Sequence, residues 1–265
     1  MEVTSSVAAL FQIAASGLRA QQRQLDVIAN NLANVNTVSF KRSRVNFQAQ
    51  VKVTVAGATE GTPSAETMPT TELESGVELA AVQRVFTQGA IEPTGNPWDL
   101  ALDGPGFFQV QRQDGGIGYT RDGTFHLDHN GQVVTAAGLR LLPEITVPAN
   151  ARELFIDRDG RVLAHVDGEV QELGTIQLAR FTNPEGLLSI GDNLYAPTAA
   201  SGPAQVGQAG SPGYGQIVPG ALESANVTLA EEMIDLIAVQ RAYRLSLQAL
   251  QVADKMYELA NNVWR

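Results

Sequence analysis

The chain contains no cysteine. That single absence removes disulfides, thiolate catalysis and cysteine-ligated zinc together. No stretch approaches 18 uninterrupted apolar residues, so no membrane insertion is expected. Basic residues are outnumbered, with 18 Lys plus Arg against 28 Asp plus Glu and a net charge of −10. Nucleic-acid binding needs a basic footprint and is not expected. Aromatics make up only 6%, which speaks against an aromatic-lined ligand pocket. The first twenty residues have no basic segment leading into a long apolar run, because Arg19 and polar residues interrupt them. A cleavable secretory signal is therefore not expected, and any export must read something else.

What is present is a chain of 265 residues, 44% hydrophobic and 17% charged, enough to bury a core in one large or two small domains. From Ser5 to Val35 there is no proline, and apolar residues recur at Val7, Phe11, Ala14, Leu18, Leu25, Ile28, Leu32 and Val35, with Gln21 as a polar entry. The steps alternate four and three, the spacing of a coiled-coil seam. Asn34, Asn36 and Thr37 mark the exit. At the other end, Thr228-Leu229-Ala230-Glu231 reads as a capping box. Neither proline nor glycine follows it to Arg265. One seam there runs Leu229, Met233, Leu236, Tyr243, Leu247, Leu250, Tyr257 and Trp264, interrupted by Gln240, Asp254 and Asn261. A second, nearly opposite, runs Ala238, Ala242, Leu245, Ala249, Val252, Met256, Leu259 and Val263. A helix apolar on two opposed faces must be sandwiched. Its second face meets either neighbouring subunits, the favoured reading, or the middle of the same chain folded back. Gln21 and Gln240 either fix register or face solvated gaps.

The middle, 82–200, reads as β. Short apolar runs are broken by Asp114-Gly115-Gly116, Asp122-Gly123, Asn130-Gly131, Asp159-Gly160 and Asp167-Gly168, which are hairpin signals. Tyr119–Leu127 and Leu154–Leu163 are candidate hairpins. Two segments read as connectors: 46–81, rich in Thr, Glu, Gly, Ser and Pro around 56–76, and 201–221, with six Gly and three Pro in its first twenty residues. The expected fold is α+β. A coiled-coil-like helical domain comes from both termini, 1–45 plus 222–265, with an inserted, mainly antiparallel β domain.

No constellation carries chemistry. His126 and His129 flank a predicted turn without a third metal ligand at suitable spacing. Asp128–Gly131 and Asp157–Gly160 look like calcium-loop fragments but are ordinary turn chemistry. No nucleophile elbow or phosphate-binding loop is present. No catalytic residue, metal or cofactor is expected. Lys41, Arg42 and Arg44 form a basic cluster, read either as cations favourably placed near a helix C-terminus or as a contact for acidic neighbours or a phosphate.

Residues at both ends and in the middle carry a family resemblance. Ala15–Gln22, then Asn30-Asn31-Leu32-Ala33-Asn34-Val35-Asn36-Thr37 and Phe40-Lys41-Arg42, resemble the N-terminal signature of flagellar basal-body rod and hook proteins. Leu222–Val227, with Asn226, followed by Glu231–Ile234 and Gln240-Arg241-Ala242-Tyr243, is similar to the matching C-terminal end. Asp99–Phe108, Tyr119–Gly123 and Gly191–Tyr195 are similar to the family's β domain. Length and the Gln240–Tyr243 element look most like its distal-rod branch, with proximal-rod or hook–basal-body paralogues as alternatives. Ser39 departs from the pattern, which has glycine there. The resemblance implies a non-enzymatic subunit of a helical tube that transmits torque towards the hook. It implies partners among copies of itself, neighbouring rod and hook proteins, the flagellar type III export apparatus and surrounding ring proteins, with assembly in the periplasm. The expected assembly interface is Leu18, Leu25, Ile28, Leu32, Met233, Leu236, Tyr243, Leu247, Leu250, Leu245, Val252, Met256 and Leu259. A reading from another class, a secreted coiled-coil β binding module, stays open.

Overall fold

The computed structural model describes residues 2–54, 72–166 and 168–263. The chain is α+β: two long helices at its ends and many short, mostly antiparallel strands between them. It divides into two compact units. One contains 1–32, 43–83 and 229–265; the other contains 33–42 and 84–228.

In the first unit, helix α1 spans Glu2–Ala33 and helix α2 spans Leu229–Val263. Thr228 directly precedes α2, and Glu231 and Glu232 stand in its first turn, where the positive end of the helix dipole favours carboxylates. The helices run antiparallel. Asn31 of α1 meets Glu232 of α2, and Gln21 meets Ser246. The unit also holds strands Ser43–Thr54 and Glu72–Arg84, paired with each other. This corrects the connector expected over 46–81 at both of its ends. Val45, Phe47, Ala49, Val51 and Val53 alternate at the strand period. The stretch 55–71, on which the linker reading chiefly rested, lies outside the described residues.

The second unit is built around strand Phe107–Gln111. It pairs with Ile117–Thr120 along one edge and with Arg140–Leu142 and Gln177–Arg180 along the other. Phe107, Phe108, Gln109 and Val110 are all buried, so both faces of this strand are covered. Phe108 and Val110 join Leu100, Leu102, Phe125, Leu141, Val162, Ile176, Leu178 and Ile217 in the main core. Burying each large aliphatic among them contributes about 1.5–3 kcal/mol. Phe107 lies on the other face with Tyr119, Phe181 and Tyr195, and these rings meet edge to face at centroid distances of 4.9–6.0 Å.

Two local expectations change. Ile117–Thr120 and Phe125–Leu127 do not form a hairpin. The first pairs with Phe107–Gln111 and Leu194–Ala196, the second with Val133–Thr135. Gly123 sits between them against the backbone of Leu100, whose oxygen lies 1.7 Å from where a Cβ would be. It is a point of close approach, not a turn tip. The segment 201–221 is not a free connector either. Strands Gln205–Gln208 and Gln216–Pro219 pair into the unit, and Ala209 and Ile217 are buried in the core. Gly210 and Gly213 hold positive φ of 76° and 89°, so the glycines fix tight turns rather than supply slack.

Candidate assembly interface

A helix reveals its partners through the rows it buries. On α2 the covered row is Glu232, Leu236, Val239, Tyr243, Ser246, Leu250 and Ala253, buried or half-buried and spaced four and three. At about 100° per residue, Ile234, Ala238, Leu245, Ala249 and Val252 lie on the opposite side. All of these are exposed; Leu245 stands 65% open and Val252 56%. Of the first expected seam, Leu236, Tyr243 and Leu250 belong to the covered row. Met233 and Leu247 sit at its margin, 49% and 36% exposed. The covered row is offset by one residue because Glu232 and Ser246, both polar, occupy positions that a search for apolar residues passes over. The side chains of Met256 and Leu259 lie outside the described residues. On α1, Ile28 is buried and Leu18, Leu25 and Leu32 are half-buried. Gln21 donates from Nε2 to Ser246 Oγ at 3.2 Å, whereas Gln240 and Arg241 are exposed.

The signature residues split between the units. Asn31, 2% exposed, belongs to the helical unit. Its Oδ1 accepts the Ser43 N–H at 2.9 Å, and its Nδ2 donates to the Ser43 carbonyl at 2.9 Å and to the Glu232 carboxylate at 3.2 and 3.3 Å. Asn30 is exposed on the same turn. Asn34 and Thr37 close the turn after α1, with Thr37 N–H donating to Asn34 O and Thr37 Oγ1 to Asn34 Oδ1.

In the second unit, Asn226 acts as a backbone clamp. Its Oδ1 accepts the Arg42 N–H at 2.7 Å, and its Nδ2 donates to the carbonyls of Val85 and Thr87. Phe40 is buried under the Arg84 guanidinium, 5.5 Å from its ring centroid. Lys41, expected in a basic cluster with Arg42 and Arg44, is instead buried and ion-paired. Its Nζ, wholly buried, lies 2.5 Å from Glu223 Oε1 and donates to Thr87 O. Glu223 Oε2 accepts from Arg121 Nε at 2.9 Å, and Gly89 N–H donates to Oε1 at 2.8 Å. Arg121 also donates from its two terminal nitrogens to the carbonyls of Leu102, Gly104 and Gly106. One carboxylate thus faces two buried cations. Burial works to raise the Glu223 carboxyl, but Arg121, Lys41 and the Gly89 N–H outweigh it and hold it below its ordinary value. Burial, and then the nearby Arg121, hold the Lys41 amine below the usual lysine range against the pull of Glu223. Ser39 sits beside this cluster at φ 55°, in the left-handed region. Its N–H donates to Glu223 O at 2.7 Å and its Oγ to Arg121 O at 2.8 Å. The hydroxyl therefore offsets part of the strain that a side chain meets where the family pattern has glycine.

Known proteins match the chain over three spans that include many of these residues. The family model of the flagella basal body rod protein matches residues 11–41, that of the flagellar hook protein FlgE/F/G D1 domain residues 101–164, and that of the flagellar basal body rod FlgEFG protein C-terminal region residues 218–263. The flagellar basal-body rod protein FlgG of Borreliella burgdorferi is 42% identical over 259 residues, covering 95% of this chain and 97% of its own. The FlgG of Caulobacter vibrioides is 39% identical over 254 residues, covering 94% and 97%.

The chain belongs to the flagellar basal-body rod protein family.

This rod protein is most like FlgG, the distal-rod member. A FlgF relative from Caulobacter vibrioides reaches 36% identity over 226 residues, 84% of each chain. The family is structural, not enzymatic, and a secreted binding module is not favoured. The three matched spans contribute one member each to the buried cluster: Lys41, Arg121 and Glu223. Sequence reasoning placed Lys41 in the wrong environment and did not single out Arg121, Glu223 or Glu232. The partners of Glu223 stand 102 and 182 residues away, and no local pattern signals such a meeting.

Proposed function

We propose that this rod protein builds the distal rod of the flagellar basal body by sandwiching α2 between α1 of its own chain and helices of neighbouring copies. The carrying observation is the two-sidedness of α2. Leu236, Val239, Tyr243 and Leu250 lie on its covered side, while Ile234, Leu245 and Val252 face solvent on the other. A helix apolar on both sides is stable only when both are covered, and water covers one here. Burying Leu245 and Val252 against a neighbour contributes about 1.5–3 kcal/mol each. Half-buried Leu18, Leu25 and Leu32, with Met233 and Leu247 at the margin, complete their burial in the same contact, and Met256 and Leu259 follow at the same spacing in the sequence. The neighbours form coiled-coil-like contacts, and a head-to-tail contact that does not close yields a helical tube rather than a ring. Adjoining rod and hook proteins cap the tube, ring proteins surround it, and it transmits torque towards the hook. The subunit reaches the periplasm through the flagellar type III export apparatus. Covering the outward side on assembly adds stability to helices that already meet within the subunit.

The test is Leu245→Asp. Since Leu245 is 65% exposed in the single chain, the substitution is expected to leave folding of the 84–228 unit unchanged, while sedimentation detects no filaments. Filaments of normal length from Leu245→Asp would refute the interface.

A further inference from the structure

We propose that Asn31 and Glu232 form a polar pin that sets the axial register of α1 against α2, making both positioning residues for the outward row of α2. The geometry of the pin is independent of the assembly reading; its consequence for rod building rests on that reading.

Three segments of the helical unit meet at Asn31. Its side-chain amide pairs with the backbone of Ser43 in both directions, at 2.9 and 2.9 Å, as a neighbouring strand would. That ties the last turn of α1 to the first residue of strand Ser43–Thr54. The remaining capacity of Nδ2 goes to both oxygens of Glu232, at 3.2 and 3.3 Å. Glu232 is 5% exposed in the first turn of α2. Among the described residues, Asn31 is the hydrogen-bond partner the structure gives it.

The rest of the covered row cannot fix register. Leu236, Val239 and Tyr243 recur every three or four residues and Leu250 follows two turns on, so a slide of one turn, about 5.4 Å, can exchange one apolar neighbour for the next. Gln21 and Ser246 are too weakly engaged to hold it, because their contact is single at 3.2 Å and Gln21 Oε1 is buried without a partner. The Asn31–Glu232 contact is different in kind. A one-turn slide strands a buried carboxylate and leaves the amide short of an acceptor, and unpaired buried polar groups are costly. A single polar position in an apolar seam is a known means of fixing register. The outward residues Ile234, Leu245 and Val252 ride on α2, so the pin fixes their height relative to α1 and the strand at Ser43.

The absence of cysteine permits a direct test on the full-length chain. Gln12→Cys and Asp235→Cys place spin labels at two exposed sites far apart along the antiparallel helix axes, where a slide appears almost fully as a change in distance. The parent pair is expected to give one narrow distance by double electron–electron resonance. Glu232→Ala in that background is expected to add a second population displaced by about one turn, favoured roughly tenfold more than in the parent. Glu232→Gln keeps an oxygen for Asn31 Nδ2 and is expected to restore the single distance. An unchanged single distance in Glu232→Ala would overturn the pin. A featureless spread of distances would also overturn it, because the contact would then be holding the helices together rather than choosing their register.

Discussion

Replacing Glu223 with glutamine keeps the side-chain size and removes the one anion that Lys41 and Arg121 share. The Glu223 side chain is fully buried, as is that of Lys41, and Arg121 is 5% open. In the variant Lys41 retains Thr87 O, and Arg121 retains the carbonyls of Leu102, Gly104 and Gly106, so neither cation is wholly stranded. Both nevertheless lose their counter-charge, and the new amide N–H₂ points a donor at other donors. Breaking a buried ion cluster by removing one partner typically costs about 3–5 kcal/mol, a large share of the roughly 5–15 kcal/mol of a folded domain. For a unit of this size that corresponds to a fall in Tm of roughly 6–20 °C. Urea unfolding of the full-length chain, followed by near-ultraviolet circular dichroism of the buried Tyr119 and Tyr195, reads the loss directly. A cost below about 1 kcal/mol would instead place Glu223 with exposed ion pairs. The same group sets an acid limit. Its folded carboxyl is held below the ordinary 4.5, so the stabilisation is fully present above that value and is lost as pH falls through the lower folded one. Glu223→Gln is expected to flatten the loss of stability below pH 4.5.

Ser39→Gly is expected to change stability by less than about 1 kcal/mol, because relief at φ 55° offsets the lost hydrogen bond to Arg121 O and the added chain entropy. Ser39→Val loses the bond and keeps the strain, and should cost about 2–4 kcal/mol in the same urea assay. Gly123→Ala drives a methyl into Leu100 O, and thermal melts are expected to show a loss of at least about 2 kcal/mol. Asn226→Ala removes the clamp on Arg42, Val85 and Thr87. Hydrogen exchange is expected to quicken by roughly tenfold or more at Arg42 N–H, whose acceptor is gone, with little change at Gly160.

The two helices were legible because their signals are local: four-and-three apolar spacing free of proline, and Thr228-Leu229-Ala230-Glu231 at the start of α2. The phase of the covered row was not, since Glu232 and Ser246 hide it from a hydrophobic pattern. Turn dipeptides marked true hairpins at Asn130-Gly131 and Asp157–Gly160, where adjoining strands pair directly. They misled at Asp122-Gly123, where glycine serves close packing against Leu100. Glycine-rich composition likewise concealed the buried Ala209 and Ile217 of 201–221. Membership of the family was readable from contiguous signatures, but what those residues do was not. Asn31, Lys41 and Asn226 act on partners 12 to 201 residues away, distances at which sequence spacing carries no geometry.

The outward side of α2 is solvent-facing in the subunit and, on the proposed assembly, covered in the rod. Leu245→Cys introduces a lone thiol at its centre, and maleimide labelling compares the free chain with assembled filaments. Rapid labelling of the subunit and protection in the filament is the expected result; equal reactivity in both would contradict the account.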